Sequence, residues 1–501
     1  MGNDLFNELV IKPVISAVVT CSEKNAFCIH GRYYTYGDFG RYISNIRHTI
    51  QTVKDTNSCW GLVANDDIET YASIFALWLE GKAYVPLNQN HPLDRCKNII
   101  EQVEIKHILD SSIQTKFEQE KVLLSHTFDY SKTRDLQLSI YPTESLAYIL
   151  FTSGSTGEPK GVTISRYNVG AFMQSFWLTG INIVSEDRCL QCFDLTFDVS
   201  VQSYLVALTK GACVYTVPTN QVKYIYVANL IHNERITFGA MAPSMLRYMQ
   251  PYFDEIDASS MKTTILTAEA CPVSLMQEWF KYASNTEIFD FYGPTEATIY
   301  CTSYKLNRIS NKSLNGIISI GRPLANVQAI IVDEKLNCVP TGEKGELCIA
   351  GSQVTPGYWK NSLKNKDSFF IKEINGVKMR FYHTGDVCYC EEDGNIMYAG
   401  RMDYQVKIQG YRIELSEIEF HAREFLQGVN AIALAFENEL NLTEIALFVE
   451  QEKGVNKEDL IQYLRDKMPA YMIPSKFFFL SIFALNSNDK VDRIQLQKML
   501  K

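Results

Sequence analysis

Hydrophobic residues recur at helical spacing in some stretches of the chain and in short continuous runs in others. One helix is predicted over Asp67 to Leu79, and another begins near Pro272, a residue that suits the first position of a helix. The apolar face of the second helix consists of Leu275, Met276, Trp279, Phe280 and Ala283. Short apolar runs predict strands at Thr264 to Leu266, Val327 to Val332 and Gly345 to Ala350. Because helices and strands alternate over roughly the first 400 residues, the pattern favours an α/β fold with layered sheets and helices.

The pattern changes near residue 400. Ser416 and Glu419 have the S-x-x-E spacing of a capping box and predict the start of a helix. The segments expected after it are two strands, a helix and a third strand, at Ala431 to Phe436, Glu444 to Glu450, Lys457 to Lys467 and the run that begins at Phe477. This order indicates a small α+β domain over residues 403–501. It follows a large N-terminal body of several subdomains over residues 1–402.

Composition and charge narrow the possible functions of the 501-residue chain. The formal net charge of −9 argues against a nucleic-acid partner, since nonspecific binding needs clustered Lys and Arg. No apolar run reaches the ~20 residues of a membrane helix, and the N-terminus does not resemble a signal peptide. The 13 cysteines therefore indicate reduced thiols in the cytoplasm. Cys189 and Cys192 lack a second pair or a nearby His, so we expect no metal site there.

The segment FTSGSTGEPKG, Phe151 to Gly161, follows an apolar run and combines glycines, hydroxyl residues and Lys160. Such a loop can bring backbone N–H groups and hydroxyls close to phosphate oxygens, because glycine adopts conformations that other residues resist. It is not a Walker A loop, since Pro159 precedes Lys160 and Gly161 follows it. Taken alone, the segment predicts either a phosphate-binding loop or a flexible surface loop.

Two further segments carry polar chemistry. DFYGPTE, Asp290 to Glu296, offers an aromatic ring for stacking on a purine and a carboxylate for Mg²⁺, a cation that prefers oxygen ligands. YHTGD, Tyr382 to Asp386, offers a carboxylate that can accept both hydroxyls of a ribose, and Arg401 follows fifteen residues later. Taken alone, DFYGPTE could equally be a structural turn, and Asp386 in YHTGD could be an ordinary acidic residue in a loop.

In this order and spacing the three segments resemble the adenylate-forming superfamily, which includes acyl-CoA synthetases, luciferases and the adenylation domains of nonribosomal peptide synthetases. The resemblance covers nearly the whole chain, with further matching segments at Tyr34 to Gly37, Ala83 to Leu87, Gly345 to Gly351, Pro356 to Trp359 and Asn488 to Arg493. It is closest to the amino-acid branch, which includes stand-alone D-alanine–[D-alanyl carrier protein] ligases. The resemblance implies ATP and Mg²⁺, formation of an aminoacyl-adenylate with release of pyrophosphate, and transfer to a phosphopantetheine thiol.

The resemblance also implies particular roles for nucleotide-binding residues. The ATP-binding residues are Thr152, Ser153, Gly154, Ser155, Thr156, Gly157, Lys160, Asp290, Tyr292, Thr295, Asp386 and Arg401. Tyr292 is expected to stack on adenine, while Asp386 and Arg401 hold the ribose. Glu296 is the expected Mg²⁺ ligand and the first of two catalytic residues. The second is Lys490, a mobile point charge that bridges the substrate carboxylate and the α-phosphate and neutralises the charge that gathers there.

The substrate class rests on Phe193 to Ala212. In amino-acid activators, an Asp in the second Phe-Asp of this segment pairs with the α-ammonium, and here that residue is Asp198. A buried carboxylate needs a partner, which a bound ammonium supplies. The alternatives are an Asp satisfied by backbone N–H groups at a helix N-terminus, or Asp194 as the residue concerned. The remaining pocket residues are Val199, Gln202, Ser244, Ile265, Thr267, Phe291, Ile299 and Tyr300. These pocket residues favour a substrate amino acid whose side chain is small or of modest size and can be polar.

Asp403 corresponds to the hinge about which the small, mobile domain turns between the two half-reactions. The chain departs from the family pattern at two positions. Asp290 stands where peptide-synthetase domains usually have Asn facing the adenine amino group; Asp can still accept that hydrogen bond but adds charge near the base. Thr267 stands where D-alanine ligases tend to have Cys, so the amino acid and its chirality stay open. The chain ends at Lys501, so the expected thiol donor is a separate acyl or peptidyl carrier protein, or coenzyme A.

Two other functions are compatible with these residues. One is an acyl-CoA-type ligase that acts on a carboxylic acid without an amine. The other is a catalytically silent relative that only binds nucleotide or a partner. The presence of Lys490, Glu296 and Asp386 argues against the silent relative.

Overall fold

The computed structural model of the chain describes residues 4–53, 55–118, 121–132, 134, 136–154, 158–451, 454–484 and 491–500. Its residues group into two compact units. The first contains Met1–Asn88, Val103–Leu150 and Gly161–Met402, and the second contains Gln89–Gln102, Phe151–Lys160 and Asp403–Lys501. Such a grouping describes compactness and not independent folding, so the domain boundary at residue 403 stays a prediction.

A nine-stranded sheet forms much of the first unit. Its central pairs are parallel, whereas the pairs at both edges are antiparallel. The strands lie in the order Arg322–Pro323, Thr302–Lys305, Glu287–Tyr292, Thr263–Thr267, Phe238–Met241, Arg188–Gln191, Cys213–Thr216, Asn25–Ile29 and Arg32–Thr35. The strand predicted at Thr264 to Leu266 is confirmed within it.

Two further sheets complete the large layers. A seven-stranded sheet has the order Gly357–Tyr358, Lys160–Ser165, Leu146–Thr152, Ala83–Leu87, Cys59–Val63, Ile108–Asp110 and Val122–Leu124. An antiparallel sheet has the order Val327–Val332, Gly345–Gly351, Val377–Cys390 and Phe369–Ile374, with Ile396–Arg401 also paired to Val377–Cys390. A short hairpin joins Ser313–Leu314 to Ile317–Ile318. The strands predicted at Val327 to Val332 and Gly345 to Ala350 are confirmed.

Helices pack between and around these sheets. The α-helices of the first unit are Lys12–Thr20, Tyr36–Thr52, Ile68–Leu79, Arg166–Trp177, Asp198–Leu208, Lys223–Asn233, Pro243–Met249, Val273–Tyr282 and Ser362–Ser368, whereas all but the last residue of Leu93–Val103 belongs to the second unit. Single-turn elements precede or join them at Asn7–Ile11, Ser125–Thr127, Gln250–Glu255 and Thr295–Ala297. This layered arrangement confirms the predicted α/β fold class.

Two of the predicted helices show how local chemistry sets their start. Ile68–Leu79 begins after Asp67, whose carboxylate accepts a hydrogen bond from the Thr70 N–H as an N-cap. Val273–Tyr282 begins after Pro272, which is the N-cap and not the first helical residue as predicted. The ψ angle of Pro272 is 132°, so its backbone is extended and the helix begins one residue later.

The largest hydrophobic core lies in the first unit, where Trp60, Trp78 and Tyr204 are fully buried. The Trp78 indole N–H donates to the Ala147 carbonyl, which satisfies its one polar atom. A second cluster in the same unit surrounds Trp279. The described part of the chain contains no helix that is long and apolar enough to span a membrane.

The second unit contains the small α+β fold that was predicted. The predicted elements appear in their expected order as Leu415–Phe425, Ala431–Glu437, Thr443–Val449, Lys457–Lys467 and Lys476–Phe479. The last strand is shorter than the strand predicted from the apolar run that begins at Phe477. Its residues are half-buried or exposed. A hairpin of Gln405–Ile408 and Tyr411–Glu414, and a helix over Arg493–Lys498, were not predicted.

The predicted capping box at Ser416 is wrong. The helix Leu415–Phe425 has Glu414 as its N-cap residue, without a side-chain cap, so Ser416 lies inside the first turn. Glu419 Oε1 instead accepts from the Ala433 backbone N–H at 3.0 Å and from the Arg493 guanidinium at 2.7 Å. Tertiary partners therefore take the carboxylate that the sequence pattern assigned to the helix start.

Asp66 is a buried carboxyl group whose protonation is expected to affect stability. It has a left-handed φ of 53°, and the Tyr71 hydroxyl donates to its carboxylate at 2.5 Å. Burial raises the pKa of Asp66 to about 7. The stability that depends on its proton is therefore fully present below the unfolded-state pKa of about 4 and is lost as the pH rises through about 7.

We expect Asp66→Asn to stabilise the protein increasingly as the pH rises, because asparagine keeps the acceptor oxygen and tolerates the left-handed conformation. Three pKa units correspond to at most about 4 kcal/mol of unfolding free energy between about pH 4 and pH 8. Denaturant unfolding of both proteins across that range measures the difference. A difference that does not change with pH would contradict this account of Asp66.

Candidate functional site

A cluster of polar side chains in the first unit brings together three residues predicted to bind the nucleoside. Tyr292 ends the strand Glu287–Tyr292, while Asp386 and Arg401 are directly paired across two antiparallel strands. The Tyr292 hydroxyl donates to Asp386 Oδ2 at 2.5 Å, and Arg401 Nη1 donates to Asp386 Oδ1 at 2.6 Å. Each carboxylate oxygen has two lone pairs, so Asp386 keeps acceptor capacity for further hydroxyl groups.

Burial and charge fix the protonation of this cluster. Burial raises the pKa of Tyr292 well above its ordinary value, and the neighbouring Asp386 carboxylate raises it further. The phenol is therefore neutral and acts as the donor to Asp386. Arg401 Nη1 also donates to the Thr384 carbonyl at 3.2 Å, which holds the guanidinium against the part of the strand Val377–Cys390 just before Asp386. The stacking role of Tyr292 and the ribose-binding role of Asp386 and Arg401 stay predictions.

The segment after Tyr292 carries the predicted Mg²⁺ ligand. Asp290 lies buried on the same strand, and Thr295 and Glu296 follow in a single 3₁₀ turn. Glu296 is fully buried, and its Oε1 accepts from the Tyr358 hydroxyl at 2.6 Å. A buried carboxylate of this kind offers the hard oxygen donor that Mg²⁺ prefers, so Glu296 fits a site for that ion.

A strained turn connects Glu296 to the predicted substrate residues. Thr298 and Ile299 both have left-handed backbones, with φ of 54° and 73°, which is costly for β-branched residues. Gln353 is fully buried, and its amide donates to the Tyr300 carbonyl at 2.6 Å. The Thr298 hydroxyl donates back to the Gln353 carbonyl at 2.5 Å. Sequence reasoning missed Gln353, because no local pattern shows that this distant amide holds the turn.

Predicted substrate residues meet beside the helix Asp198–Leu208. Asp198 is its first residue and Gln202 lies one turn later, so both point to the same side of the helix. The Tyr300 hydroxyl donates to Gln202 Oε1 at 3.2 Å. Burial raises the pKa of Tyr300 well above its ordinary value, and the Asp198 charge adds to that effect. Asp198, Gln202 and Tyr300 therefore form one buried polar group.

The walls around this polar group come from neighbouring parallel strands. Thr267 and Phe291 are register partners, and the Phe291 and Tyr300 rings lie 4.9 Å apart. The nearby Thr267 side chain partly offsets the effect of burial on the pKa of Tyr300. The other predicted apolar members, Val199, Ile265 and Ile299, are all buried.

Ser244 has a different environment from the rest of the predicted set. Its hydroxyl donates to Glu269 Oε1 at 2.9 Å, and its backbone N–H donates to Glu269 Oε2 at 2.8 Å. Glu269 therefore holds the start of the helix Pro243–Met249. Sequence reasoning also missed this carboxylate, which lies 25 residues further along the chain.

Asp194, the alternative to Asp198, has local partners. Its Oδ1 accepts from the Thr196 N–H and hydroxyl, both at 2.8 Å, which is the geometry of a turn-forming Asp. The Asn88 amide donates to its other oxygen. These bonds give Asp194 a structural role in the loop before the helix. The assignment of the ammonium-binding role to Asp198 stays a prediction.

The predicted phosphate loop belongs to the second unit, where part of it is described. Ser155, Thr156 and Gly157 lie outside the described residues, as does Lys490. The Thr152 hydroxyl is buried and has no hydrogen-bond partner among the described residues. Ser153 Oγ donates to the Arg412 carbonyl at 2.9 Å.

Two acidic residues of the same unit contact the loop. The Gly154 N–H donates to Glu417 Oε2 at 3.1 Å, and Arg95 donates to Glu417 Oε1 at 2.7 Å in a buried ion pair. Lys160 Nζ lies 3.4 Å from Glu414 Oε1. The loop N–H and lysine thus already bind carboxylates, the type of anionic partner expected for groups that bind phosphate.

Asp403, the predicted hinge residue, is the first residue of the last segment of the second unit. Its Oδ1 accepts from the Gln405 N–H at 3.1 Å, which orders the chain as it enters the hairpin Gln405–Ile408 and Tyr411–Glu414. The hinge role stays a prediction.

The layered fold is that of the adenylate-forming enzyme class, which includes the adenylation domains of nonribosomal peptide synthetases. The chain belongs to the AMP-binding enzyme family, whose pattern matches residues 16–359. Members of this family use ATP. This membership confirms the superfamily that the three sequence segments resemble.

Curated relatives support the same family. Tyrocidine synthase 1 of Brevibacillus parabrevis is 30% identical over 483 residues, which are 94% of this chain and 43% of that protein. Zwittermicin A synthase ZmaJ of Bacillus cereus is 32% identical over 450 residues, which are 86% of this chain and 84% of that protein. The chain thus spans less than half the length of tyrocidine synthase 1.

Solved structures share the fold. The adenylation domain AlmE of Vibrio cholerae, in complex with glycyl-adenosine-5'-phosphate, has a TM-score of 0.85 at 23% identity, covering 98% of this chain and 97% of that one. PA1221, a nonribosomal peptide synthetase protein with adenylation and PCP domains, has a TM-score of 0.84 at 18% identity, covering 99% and 98%. At these identities the likeness establishes the fold alone.

Proposed function

We propose that the chain activates an amino acid with ATP, releases pyrophosphate, and transfers the aminoacyl group to the phosphopantetheine thiol of a separate carrier protein. The observation that carries this proposal is the buried carboxylate of Asp198 in the group formed with Gln202 and Tyr300. Its charge also raises the pKa of Tyr84 and Tyr148, after burial itself, so it faces several buried phenols. A bound α-ammonium is the counter-charge that suits this carboxylate.

The relatives support both halves of the proposal. Tyrocidine synthase 1 and zwittermicin A synthase ZmaJ are both named as synthases. The AlmE structure contains an aminoacyl-adenylate, and PA1221 combines an adenylation domain with a PCP domain. An amino-acid substrate and a carrier thiol are therefore the natural extension of the family assignment to this chain.

The first half-reaction joins two anions. A substrate carboxylate oxygen attacks the α-phosphorus of ATP, and the bond from that phosphorus to the pyrophosphate oxygen breaks. Charge gathers on the phosphorus oxygens, so donors in fixed positions lower the barrier. Thr152, Ser153, Gly154 and Lys160 supply such donors, together with the predicted Ser155, Thr156, Gly157 and Lys490. Mg²⁺ bound at Glu296 would neutralise part of the phosphate charge.

The nucleoside is held by the remaining predicted residues. Asp386, fixed by Tyr292 and Arg401, accepts the ribose hydroxyls, and Asp290 accepts from the adenine amino group. In the second half-reaction the carrier thiol, as thiolate, attacks the carbonyl carbon of the adenylate. The carbon–oxygen bond to AMP breaks, which gives the thioester and free AMP.

The hinge assignment yields a prediction that separates the two half-reactions. In Asp403→Pro the fixed φ of proline restricts rotation at the residue that must absorb the change between two poses. We expect pyrophosphate exchange to stay within about threefold of the native rate, while thioester formation falls on the order of 100-fold. Pyrophosphate exchange and aminoacyl loading of the phosphopantetheinylated carrier protein are both measured on one preparation of the variant. If both half-reactions survive, Asp403 is not the hinge.

The test of the proposed function is amino-acid-dependent exchange of labelled pyrophosphate into ATP. The panel contains the L- and D-amino acids, β-alanine, and the matching carboxylic acids without an amine. We expect exchange with one or a few amino acids of small or modest size and none with their amine-free analogues. Exchange with amine-free acids alone would establish the acyl-CoA-type alternative, and no exchange with any carboxylate would support the catalytically silent one.

The acceptor is tested separately with the amino acid that supports exchange. A phosphopantetheinylated carrier protein and coenzyme A are offered as alternative thiols, and the thioesters are identified by mass spectrometry. We expect loading of the carrier and not of coenzyme A. The opposite preference would overturn the carrier assignment and leave amino-acid activation in place.

A further inference from the structure

Three side chains with metal-binding atoms meet on the antiparallel sheet of the first unit. Cys348 on the strand Gly345–Gly351 lies directly opposite His383 on Val377–Cys390, and the strand register shifts between Glu346 and Cys348. The imidazole, thiol and carboxylate ligand atoms of His383, Cys348 and Glu346 all lie within 4.8 Å of one another. The proposed function uses none of these side chains.

The distances show how the three groups are connected. His383 Nδ1 lies 2.7 Å from Glu346 Oε2 and 3.8 Å from Cys348 Sγ. The other carboxylate oxygen, Glu346 Oε1, accepts from the Gly385 N–H at 2.9 Å. Glu346 Oε2 and His383 Nδ1 are therefore joined by one hydrogen bond, while Oε1 independently accepts from the backbone. A cation that replaces the hydrogen bond between Glu346 and His383 leaves the bond to Gly385 intact.

We propose that Glu346, Cys348 and His383 form a binding site for a borderline divalent cation of the zinc class, with solvent as the fourth ligand. One thiolate, one imidazole and one carboxylate make a donor set that suits Zn²⁺ in tetrahedral geometry. Mg²⁺ is a hard ion that prefers oxygen ligands, so this site differs in chemistry from the one proposed at Glu296.

The proton and charge balance is simple. Binding of the cation releases the thiol proton of Cys348, because a coordinating thiol is deprotonated. An imidazole that coordinates a cation is neutral, so Nδ1 of His383 would bind the cation while Nε2 carries the ring proton. The divalent cation, one thiolate and one carboxylate then sum to zero charge, which is acceptable for a site of low polarity.

The surroundings fit a site that is partly open. Cys348 is fully buried and forms the enclosed side of the site. The side chains of His383 and Glu346 are 26% and 15% exposed, which gives the cation an entry path and a solvent ligand. The Phe370 ring lies 4.5 Å from the imidazole and fixes its orientation.

The position of the site links it to nucleotide binding. Glu346 holds the Gly385 N–H, and the next residue is Asp386, which carries the bonds to Tyr292 and Arg401. A cation that ties His383 to Glu346 would join the two neighbouring strands next to Gly385 and Asp386. Occupancy of the site thus stabilises the backbone that presents Asp386.

The direct test is titration of the whole chain with Co²⁺ after removal of bound metal by a chelator. Thiolate coordination gives a near-ultraviolet charge-transfer band, and tetrahedral Co²⁺ gives intense visible bands. We expect both to saturate at one equivalent, to be lost on addition of Zn²⁺, and to persist in excess Mg²⁺. Absence of the charge-transfer band in the native chain would overturn the proposal.

Variants identify the ligands. Cys348→Ser should lose the charge-transfer band, and His383→Gln should weaken Co²⁺ binding by at least about tenfold. Cys390→Ser is the matched control, since that thiol lies on the same strand as His383 and donates to the Glu391 carbonyl. It should titrate like the native chain. A charge-transfer band that survives in Cys348→Ser would contradict the site, and so would an equal loss of the band in Cys390→Ser. If Cys348→Ser does not fold, the Co²⁺ titration of His383→Gln tests the site instead.

Discussion

Asp198→Asn is expected to abolish amino-acid-dependent pyrophosphate exchange. The asparagine amide is nearly isosteric with the carboxylate but offers no negative charge to the substrate ammonium. Leaving a buried charge without its partner costs about 3–5 kcal/mol, which lowers kcat/KM by a factor on the order of 100 to 1,000 or more. The measurement is exchange with the best amino acid found in the panel, for variant and native chain at equal concentration.

Two controls make this result specific. Asp194→Asn changes a carboxylate four residues away whose partners are Asn88 and Thr196, so it should reduce exchange far less. ATP binding by Asp198→Asn, measured by calorimetry with a non-hydrolysable analogue, should match that of the native chain. Native-level exchange in Asp198→Asn would remove amino acids from the expected substrates.

The second large effect is expected for Lys490→Ala. The lysine is predicted to balance the substrate carboxylate and the α-phosphate as they join, so its loss removes electrostatic stabilisation of that transition state. We expect adenylate formation to fall by about 100- to 1,000-fold. Transfer to the carrier from a chemically synthesised adenylate should stay close to the native rate. In that step the thiolate attacks a carbonyl carbon, so no carboxylate has to approach the phosphate.

Lys498→Ala is the matched control, since this exposed lysine lies in the helix Arg493–Lys498 near the same end of the chain. Its activity in both half-reactions should equal that of the native chain. Equal loss of adenylation and transfer in Lys490→Ala would contradict the assigned role and indicate a general structural effect.

Hydrophobic periodicity predicted helices and strands well where one face of the element, or the whole element, is buried. The helix after Asp67 and the strand pair Ala431–Glu437 and Thr443–Val449 lie where the pattern placed them. The hairpin Gln405–Ile408 and Tyr411–Glu414 was missed, because polar and apolar residues alternate over only four positions in each strand, which is the shortest stretch that indicates a strand. The capping box failed for another reason: Ala433 and Arg493, which are distant in sequence, bind the carboxylate of Glu419.

In the candidate site, too, the sequence predicted motif residues but not their long-range partners. The family motifs identified Tyr292, Asp386 and Arg401, and the structure brings these three into one hydrogen-bonded cluster. Gln353 and Glu269 were not predictable, because each acts on a segment tens of residues away through a single amide or carboxylate. Long-range partners of this kind leave no periodic or motif signal in the chain.

The most direct measurement of the central claim follows the carboxylate oxygen. An amino acid that supports exchange is labelled with ¹⁸O in its carboxylate, and the nucleotide released on transfer to the thiol is analysed by mass spectrometry. If the carboxylate attacks the α-phosphorus, one labelled oxygen must leave with AMP. Unlabelled AMP, or release of ADP and phosphate instead, would contradict the account.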